Sequence, residues 1–273
     1  MTDLTLTMKY RPNQRVDMSP ITCDKLAGLE LADIAAIELQ NGKRKLRVDE
    51  LFSISGSDAW NIHIDNSFAK LDYIGHGLEG GKIRVTGDVG AYLAMEMRSG
   101  EVTVSGDAGI YAACQMKNGL LHVIGNVGDF LAGALSGNKK GLQGGTVIIS
   151  GNAGDRVGDH MRRGMIMIEG NAGDYCGARM TAGTIAVMGE TGRNIGYGMR
   201  RGTLLLWQQP KVPATFGDCG THTFSFLPML FDAMSKFDSK FSDSSKHFNR
   251  VHRYGGDIAE MGRGEILVQV ENA

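Results

Sequence analysis

A glycine recurs along this chain at Gly81, Gly100, Gly119, Gly145, Gly164, Gly183 and Gly202. Five of the six intervals are 19 residues and the third is 26, so one unit carries seven extra residues. With this glycine as offset zero, a second column falls at offset six: Gly87, Gly106, Gly125, Gly151, Gly170 and Gly189. A third falls at offset nine: Gly90, Gly109, Gly128, Gly154, Gly173 and Gly192. Between them stands a polar residue in every unit, Asp88, Asp107, Asn126, Asn152, Asn171 or Glu190. A fixed period of this kind marks a solenoid, in which each unit buries its apolar face only by stacking on the next. It also accounts for the 39 glycines in 273 residues, about twice the usual share.

The interior of the unit is equally regular. Offsets two and four are apolar and rich in β-branched residues: Ile83/Val85, Val102/Val104, Leu121/Val123, Val147/Ile149, Ile166/Ile168 and Ile185/Val187. That alternation predicts a strand with one face buried and the other exposed. The G-[DNE]-x-G that follows predicts a corner, where glycine supplies positive φ and Asp or Asn bonds its own backbone. Offset thirteen is small, and offset sixteen (Met97, Met116, Leu135, Met161, Met180, Met199) predicts an inward column. No repeat segment has helical periodicity. We therefore expect an all-β solenoid, a right-handed parallel β-helix with 19-residue coils, small terminal caps and one C-terminal helix. The expected organisation is an N-terminal cap over 1–59, a β-helix over 60–207, and a helix with a closing segment over 208–273. Leu227, Leu230, Phe231, Met234 and Phe237 sit at helical spacing, so that helix should cover the last coil or a neighbour's surface. The stretch GEILVQV should return to the body.

Composition excludes several classes. With 42% hydrophobic residues, 22% charged and a net charge of −1, this is the profile of a soluble globular chain. The first twenty residues lack the apolar core of a leader, and no run approaches the ~18 apolar residues of a spanning helix. Cys23, Cys114, Cys176 and Cys219 form no C-x-x-C pair, which reads as buried, reduced thiols in the cytoplasm. No membrane or nucleic-acid partner is expected, since the net charge is −1 and no aromatic ladder interleaves with the basic one.

No catalytic motif is present: no G-x-S-x-G, H-E-x-x-H, P-loop or G-x-G-x-x-G after a strand. His63 and His160 are isolated, and Cys219-x-x-His222 is weak as a zinc spacing without a second pair. What stands out is charge. Offsets seventeen and eighteen carry Arg98, Lys117, Arg162, Arg163, Arg200 and Arg201, and the insertion adds Lys139 and Lys140. In a stack these lie a few ångströms apart, where like charges repel. Two readings stay open. The corner is either solvated and neutralised by Asp129, Asp155 and Asp174, or it receives an extended polyanion or an acidic partner surface. Thr181–Ala182 interrupts the stripe, which favours a discrete site.

The repeat G-x-I-x-V-x-G-[DN]-x-G-x-x-x-G-x-x-M-x-x resembles the β-helical repeat of two families. One is the C-terminal domain of the glutamate synthase large subunit, which would make this chain a structural domain partnering an amidotransferase. The other is the C subunit of formylmethanofuran dehydrogenase and of its bacterial counterpart, the formyltransferase/hydrolase complex. The lead-in DYIGHGLEGGKIRV (72–85) and the tail RVHRYGGDIAEMGRGEILV (250–268) are similar to the second. The resemblance covers residues 60 to 268. It implies a non-catalytic scaffold subunit in one-carbon metabolism, where formyl groups pass between tetrahydromethanopterin, a methanofuran or methylofuran carrier, and formate. It implies as partners a zinc amidohydrolase-like subunit, a formyltransferase and a dehydrogenase-derived subunit. Zinc would belong to a partner, and this chain would bind no cofactor of its own. The glutamate-rich tail of the carrier would be a ligand for the basic stripe. The modest charged fraction leans towards the bacterial, methylotrophic complex.

Overall fold

The computed structural model describes residues 2–270. Equivalent offsets of successive units are paired side by side. Ile83 lies opposite Val102, Val102 opposite Leu121, and Leu121 opposite Val147. The series continues through Ile166 and Ile185 to Leu204, every pairing parallel. A second parallel ladder joins offset eight of successive units: Val89, Ala108, Val127, Ala153, Ala172 and Thr191. The fold is thus mainly β. These strands form the middle of a 13-stranded sheet, beside a four-stranded sheet built from Arg44–Arg47, Glu38–Asn41, Val16–Asp17 and Leu71–Asp72.

Both ends of the chain enter the large sheet. Asp3–Met8 lies parallel to Asp58–Ser67, with Leu4 opposite Ile62 and Leu6 opposite Ile64. Phe52–Ser55 then closes that edge in antiparallel fashion. At the other end Arg263–Gln269 pairs parallel to Arg201–Leu206, with Gly264 opposite Gly202 and Ile266 opposite Leu204. The tail therefore supplies one more rung in register with the repeat. Arg250–Gly256 and Gly217–Thr223 continue outward, both antiparallel.

Offsets two and four are fully buried along the stack, as are Met97, Met116, Met161, Met180 and Met199. Burying such a side chain contributes roughly 1.5–3 kcal/mol, which is what holds one rung to the next. The leucine in this methionine column is Leu142, not Leu135. Leu142 is fully buried, while Leu135 is half-exposed. The hydrogen bonds explain the difference. Ala134 N donates to Asp159 O and Leu142 N to Ala132 O, so the rung leaves register after Ala134 and regains it at Leu142. The seven inserted residues are 135–141.

The corners also differ from the sequence expectation. The Asp and Asn side chains at offset seven bond the next rung rather than their own turn. Asp88 Oδ1 accepts from Asp107 N at 2.9 Å, and Asn126 Oδ1 from Asn152 N at 2.9 Å. Asn152 Oδ1 in turn accepts from Asn171 N at 2.8 Å. Each carbonyl or carboxylate oxygen thus satisfies a backbone donor the corner would otherwise leave bare. The offset-six glycines are there for space. A Cβ on Gly106 would stand 2.6 Å from the Gly87 carbonyl oxygen, and of this column only Gly87 has positive φ.

The helix forms as Phe226–Met234. Leu227, Phe231, Met234 and Phe241 pack on Ile148, Met167, Ala186, Leu205 and Leu267. These are offset-three residues, the last two on the final repeat strand and the closing strand, so the helix and the turn that follows it share a buried cluster with the outer face of the sheet. Strict alternation has ended there: TVII, MIMI and TIAV each show three consecutive buried positions. The outer-face residues of the earlier rungs are Arg84, Thr103 and His122, none of them apolar.

Candidate functional site: a basic column at the insertion

Backbone hydrogen bonds fix the column at offset seventeen. Arg98 N donates to Leu78 O, Lys117 N to Met97 O, and Gln143 N to Met116 O. Arg162 N donates to Leu142 O, Thr181 N to Met161 O, and Arg200 N to Met180 O, all six at 2.8 Å. Arg98, Lys117, Gln143, Arg162, Thr181 and Arg200 therefore lie on successive rungs, about 4.8 Å apart. The insertion reaches the same place, since Arg162 Nε donates to Lys139 O at 3.4 Å. Gln143, Arg162, Arg163, Thr181 and Ala182 line a recess of about 370 Å³.

The eight basic residues are not equivalent. Arg98 is ion-paired to Glu79, one rung below it. Arg200 Nε is 3.3 Å from Glu260 Oε2, on the loop that leads into the closing strand. Among the described residues no carboxylate lies within 4 Å of Lys117, Lys139, Lys140, Arg162, Arg163 or Arg201. The acidic column does not neutralise them. Asp129 Oδ1 accepts from Asp155 N and Asp155 Oδ1 from Asp174 N, each at 2.8 Å. Asp174 accepts from Arg193 N at 2.7 Å and stands 3.3 Å from that guanidinium. These carboxylates serve a corner at offset ten.

Beside the insertion lies a buried acid that sequence reading passed over. Asp159 is 2% exposed and is gripped by the Arg179 guanidinium through both oxygens, with Nε–Oδ1 at 2.8 Å. His160 Nδ1 sits 3.2 Å from the same carboxylate. Burial pushes the His160 imidazole below the ordinary histidine range, and the Asp159 charge opposes that shift. Arg179 is thereby committed internally and adds no free cation to the column.

A second feature was also missed. At offset eleven Tyr73, Tyr92, Tyr111 and Phe130 stack nearly parallel, with ring centroids 4.7, 5.5 and 4.8 Å apart. Arg156 continues the column, its guanidinium 5.8 Å from the Phe130 ring centre and 4.7 Å from that of Tyr175. All of these residues have φ between 60° and 62°, a left-handed conformation uncommon for bulky side chains. The recurrence of aromatics 19 residues apart was the available signal. This ladder is separate from the basic column, six offsets away along the chain.

The remaining candidates resolve simply. His63 Nε2 lies 2.9 Å from Thr86 Oγ1, and the His222 ring faces the Cys219 backbone oxygen at 2.7 Å. Cys219 is exposed, against expectation, because it sits on the outermost strand; the other three thiols are buried. Among the described residues no three His, Cys, Asp or Glu side chains are grouped to hold a metal ion. No helix among them is long and apolar enough to cross a membrane.

The GXGXG motif family matches residues 134–216. The C subunit of the formyltransferase/hydrolase complex Fhc of Methylorubrum extorquens is 42% identical over 97% of this chain and 98% of its own length. The C subunit of tungsten-containing formylmethanofuran dehydrogenase 2 from Methanococcus maripaludis is 33% identical, over 34% of this chain and 35% of the relative. The crystal structure of the formyltransferase/hydrolase complex FhcABCD from Methylorubrum extorquens, in complex with methylofuran, contains a chain of the same fold. Their TM-score is 0.90 at 37% identity, covering 98% of this chain and 100% of that one. Of the two families the repeat left open, the full-length similarity selects one: this chain belongs to the family of the C subunit of the formyltransferase/hydrolase complex.

Proposed function

We propose that this chain is the scaffold subunit of a formyltransferase/hydrolase complex in one-carbon metabolism, and that its partners perform the chemistry. The observation that carries this reading is similarity along nearly the whole length of a C subunit, joined to a matching fold in a chain of the FhcABCD assembly. In this reading the chain assembles in the cytoplasm with a zinc amidohydrolase-like subunit, a formyltransferase and a dehydrogenase-derived subunit. The assembly uses a methylofuran-type carrier and exchanges formyl groups with tetrahydromethanopterin.

The stack is read as a right-handed parallel β-helix over 60–207, with an N-terminal cap region over 1–59 and a helix and closing segment over 208–273. The recurrent 19-residue pairing interval supports that reading. A rigid rod of this kind suits a scaffold, because rungs locked by backbone ladders hold docking surfaces at fixed separations. The column formed by Arg98, Lys117, Lys139, Lys140, Arg162, Arg163, Arg200 and Arg201 is the proposed contact for the acidic tail of the carrier or an acidic subunit. The uncompensated charge around the insertion supports it. The test is native mass spectrometry of the chain purified gently from its own cells, followed by a formyltransfer assay. Recovery with larger subunits and formyl-carrier activity is expected; a lone chain without that activity would overturn the scaffold reading.

A further inference from the structure

We propose that the cleft between the helix Phe226–Met234 and the segment 247–249 is a binding site for a small primary ammonium ion bearing an aryl group. The site lies apart from the basic column and does not depend on the scaffold reading. Three observations carry it.

The first is a preformed aromatic wall. The cleft has a volume of about 470 Å³, within the ~300–1,000 Å³ of small-molecule sites. Phe231 is buried, and the His247 ring lies parallel to it with centroids 4.5 Å apart. Phe248 meets Phe231 edge-on at 5.1 Å. Trp207, just past the last repeat strand, braces the group from behind. Its ring stands edge-on to Phe248 at 5.1 Å, and its Nε1 donates to Lys246 O at 2.9 Å. These rings are fixed by contacts within the chain, so a ligand loses little in ordering them. A flat ring entering the cleft meets aromatic faces and edges it can pack against.

The second observation is the sign of the polar groups. Asp232, His247 and Asn249 line the cleft, and among the described residues no lysine or arginine does. His247 Nε2 donates to Phe241 O at 2.9 Å, so the neutral ring keeps Nδ1 as an acceptor. Asp232 brings a carboxylate and Asn249 an amide oxygen. The Ser235 hydroxyl already donates to Asp232 O at 2.9 Å. A set of acceptors calls for a donor-rich cation, and a primary ammonium carries three N–H donors. Carboxylates and phosphates are repelled here by Asp232.

The third is how weakly Asp232 is held. Its carboxylate is 77% exposed, and its ion-pair partner Lys236 stands 3.9 Å away one helical turn on. An exposed pair of that length contributes little, so a ligand ammonium can take its place. Beside Phe231 and Phe248 the same ammonium also gains a cation–π attraction.

The probe is 4-phenylbenzylamine, titrated into full-length W60F. The chain has two tryptophans, so in this variant the fluorescence reports on Trp207 behind the cleft. A saturable change is expected. D232N should weaken binding about tenfold and N249A about threefold, through lost hydrogen bonds to the cation. K236Q should strengthen it about twofold, because it frees Asp232. S235F fills the cleft and should abolish binding. 4-Biphenylacetate reverses the charge and n-hexylamine lacks the rings, and each should bind at least roughly tenfold more weakly. Asp232, Lys236 and Asn249 are exposed, and a melting curve on each variant verifies the fold. The proposal is overturned if the amine does not saturate, if D232N binds it as tightly as the parent, or if either analogue binds equally well. The titration is repeated on the native assembly by ligand-observed NMR, where binding is again expected. Binding by the chain but not by the assembly would show the cleft covered by another subunit and would also overturn the proposal. If no assembly is recovered, the scaffold reading falls, and binding by the chain still upholds this site.

Discussion

The register of the irregular rung can be tested with two leucines seven residues apart. Leu142 occupies the methionine column and is fully buried, with its Cδ2 carbon 3.1 Å from where a Cβ on Gly164 would lie. Its carbonyl oxygen accepts from both Arg162 N at 2.8 Å and Arg163 N at 3.3 Å. L142A removes a buried isobutyl group and leaves a cavity, a change that costs about 2–5 kcal/mol. Flexible methionines at Met116 and Met161 can partly fill that space, which places the expectation at about 3 kcal/mol. Leu135 is half-exposed in the inserted loop, so L135A should cost about 1 kcal/mol or less. The assay is urea denaturation followed by circular dichroism, comparing midpoints at constant slope. Excising residues 135–141 restores a 19-residue unit and should leave a folded stack that has lost Lys139 and Lys140. If L135A were as destabilising as L142A, the inserted residues would not be 135–141 and the placement of the basic recess would fall with them.

Three further outcomes are expected. N152A should lose about 1 kcal/mol by denaturation, because it strands the Asn171 backbone donor, whereas N152D keeps the accepting oxygen and should stay within about 0.5 kcal/mol. Burial raises the Cys23 thiol to about 11 and the Cys114 and Cys176 thiols to about 12. A thiol reagent should therefore modify Cys219 rapidly in the native protein and the other three only after unfolding, as peptide mapping would show. The depressed His160 favours its neutral form when folded, so the unfolded chain takes up the proton first. Its contribution is intact above the unfolded value of about 6.5 and is lost as pH falls below it. H160Q should make stability less sensitive to acid across that window.

The repeat was legible because stacking converts sequence spacing directly into spatial register. Columns such as Ile83, Val102 and Leu121 or Gly106 and Gly125 are neighbours for the same reason they recur. The basic column was legible on the same grounds, and the backbone ladder places Arg98, Lys117, Arg162 and Arg200 along one line. Periodicity was silent wherever the partner lay off the period. It could not say that Glu79 and Glu260 close the two ends of the column, nor that Asp159 is buried against Arg179. It placed the inward leucine at Leu135 because counting from a glycine cannot locate an insertion; the hydrogen bonds of Ala134 and Leu142 do. It gave the corner side chains a local role, where stacking offers them the next rung's donors. The helix was visible as an apolar stripe, but its resting place was set by Ile148, Met167, Ala186 and Leu205 on a face that simple alternation leaves to solvent. One-dimensional order specified the parallel ladders and their columns. Contacts between residues far apart in the chain decided which of those columns keep an uncompensated charge, because pairing depends on what the fold brings within a few ångströms.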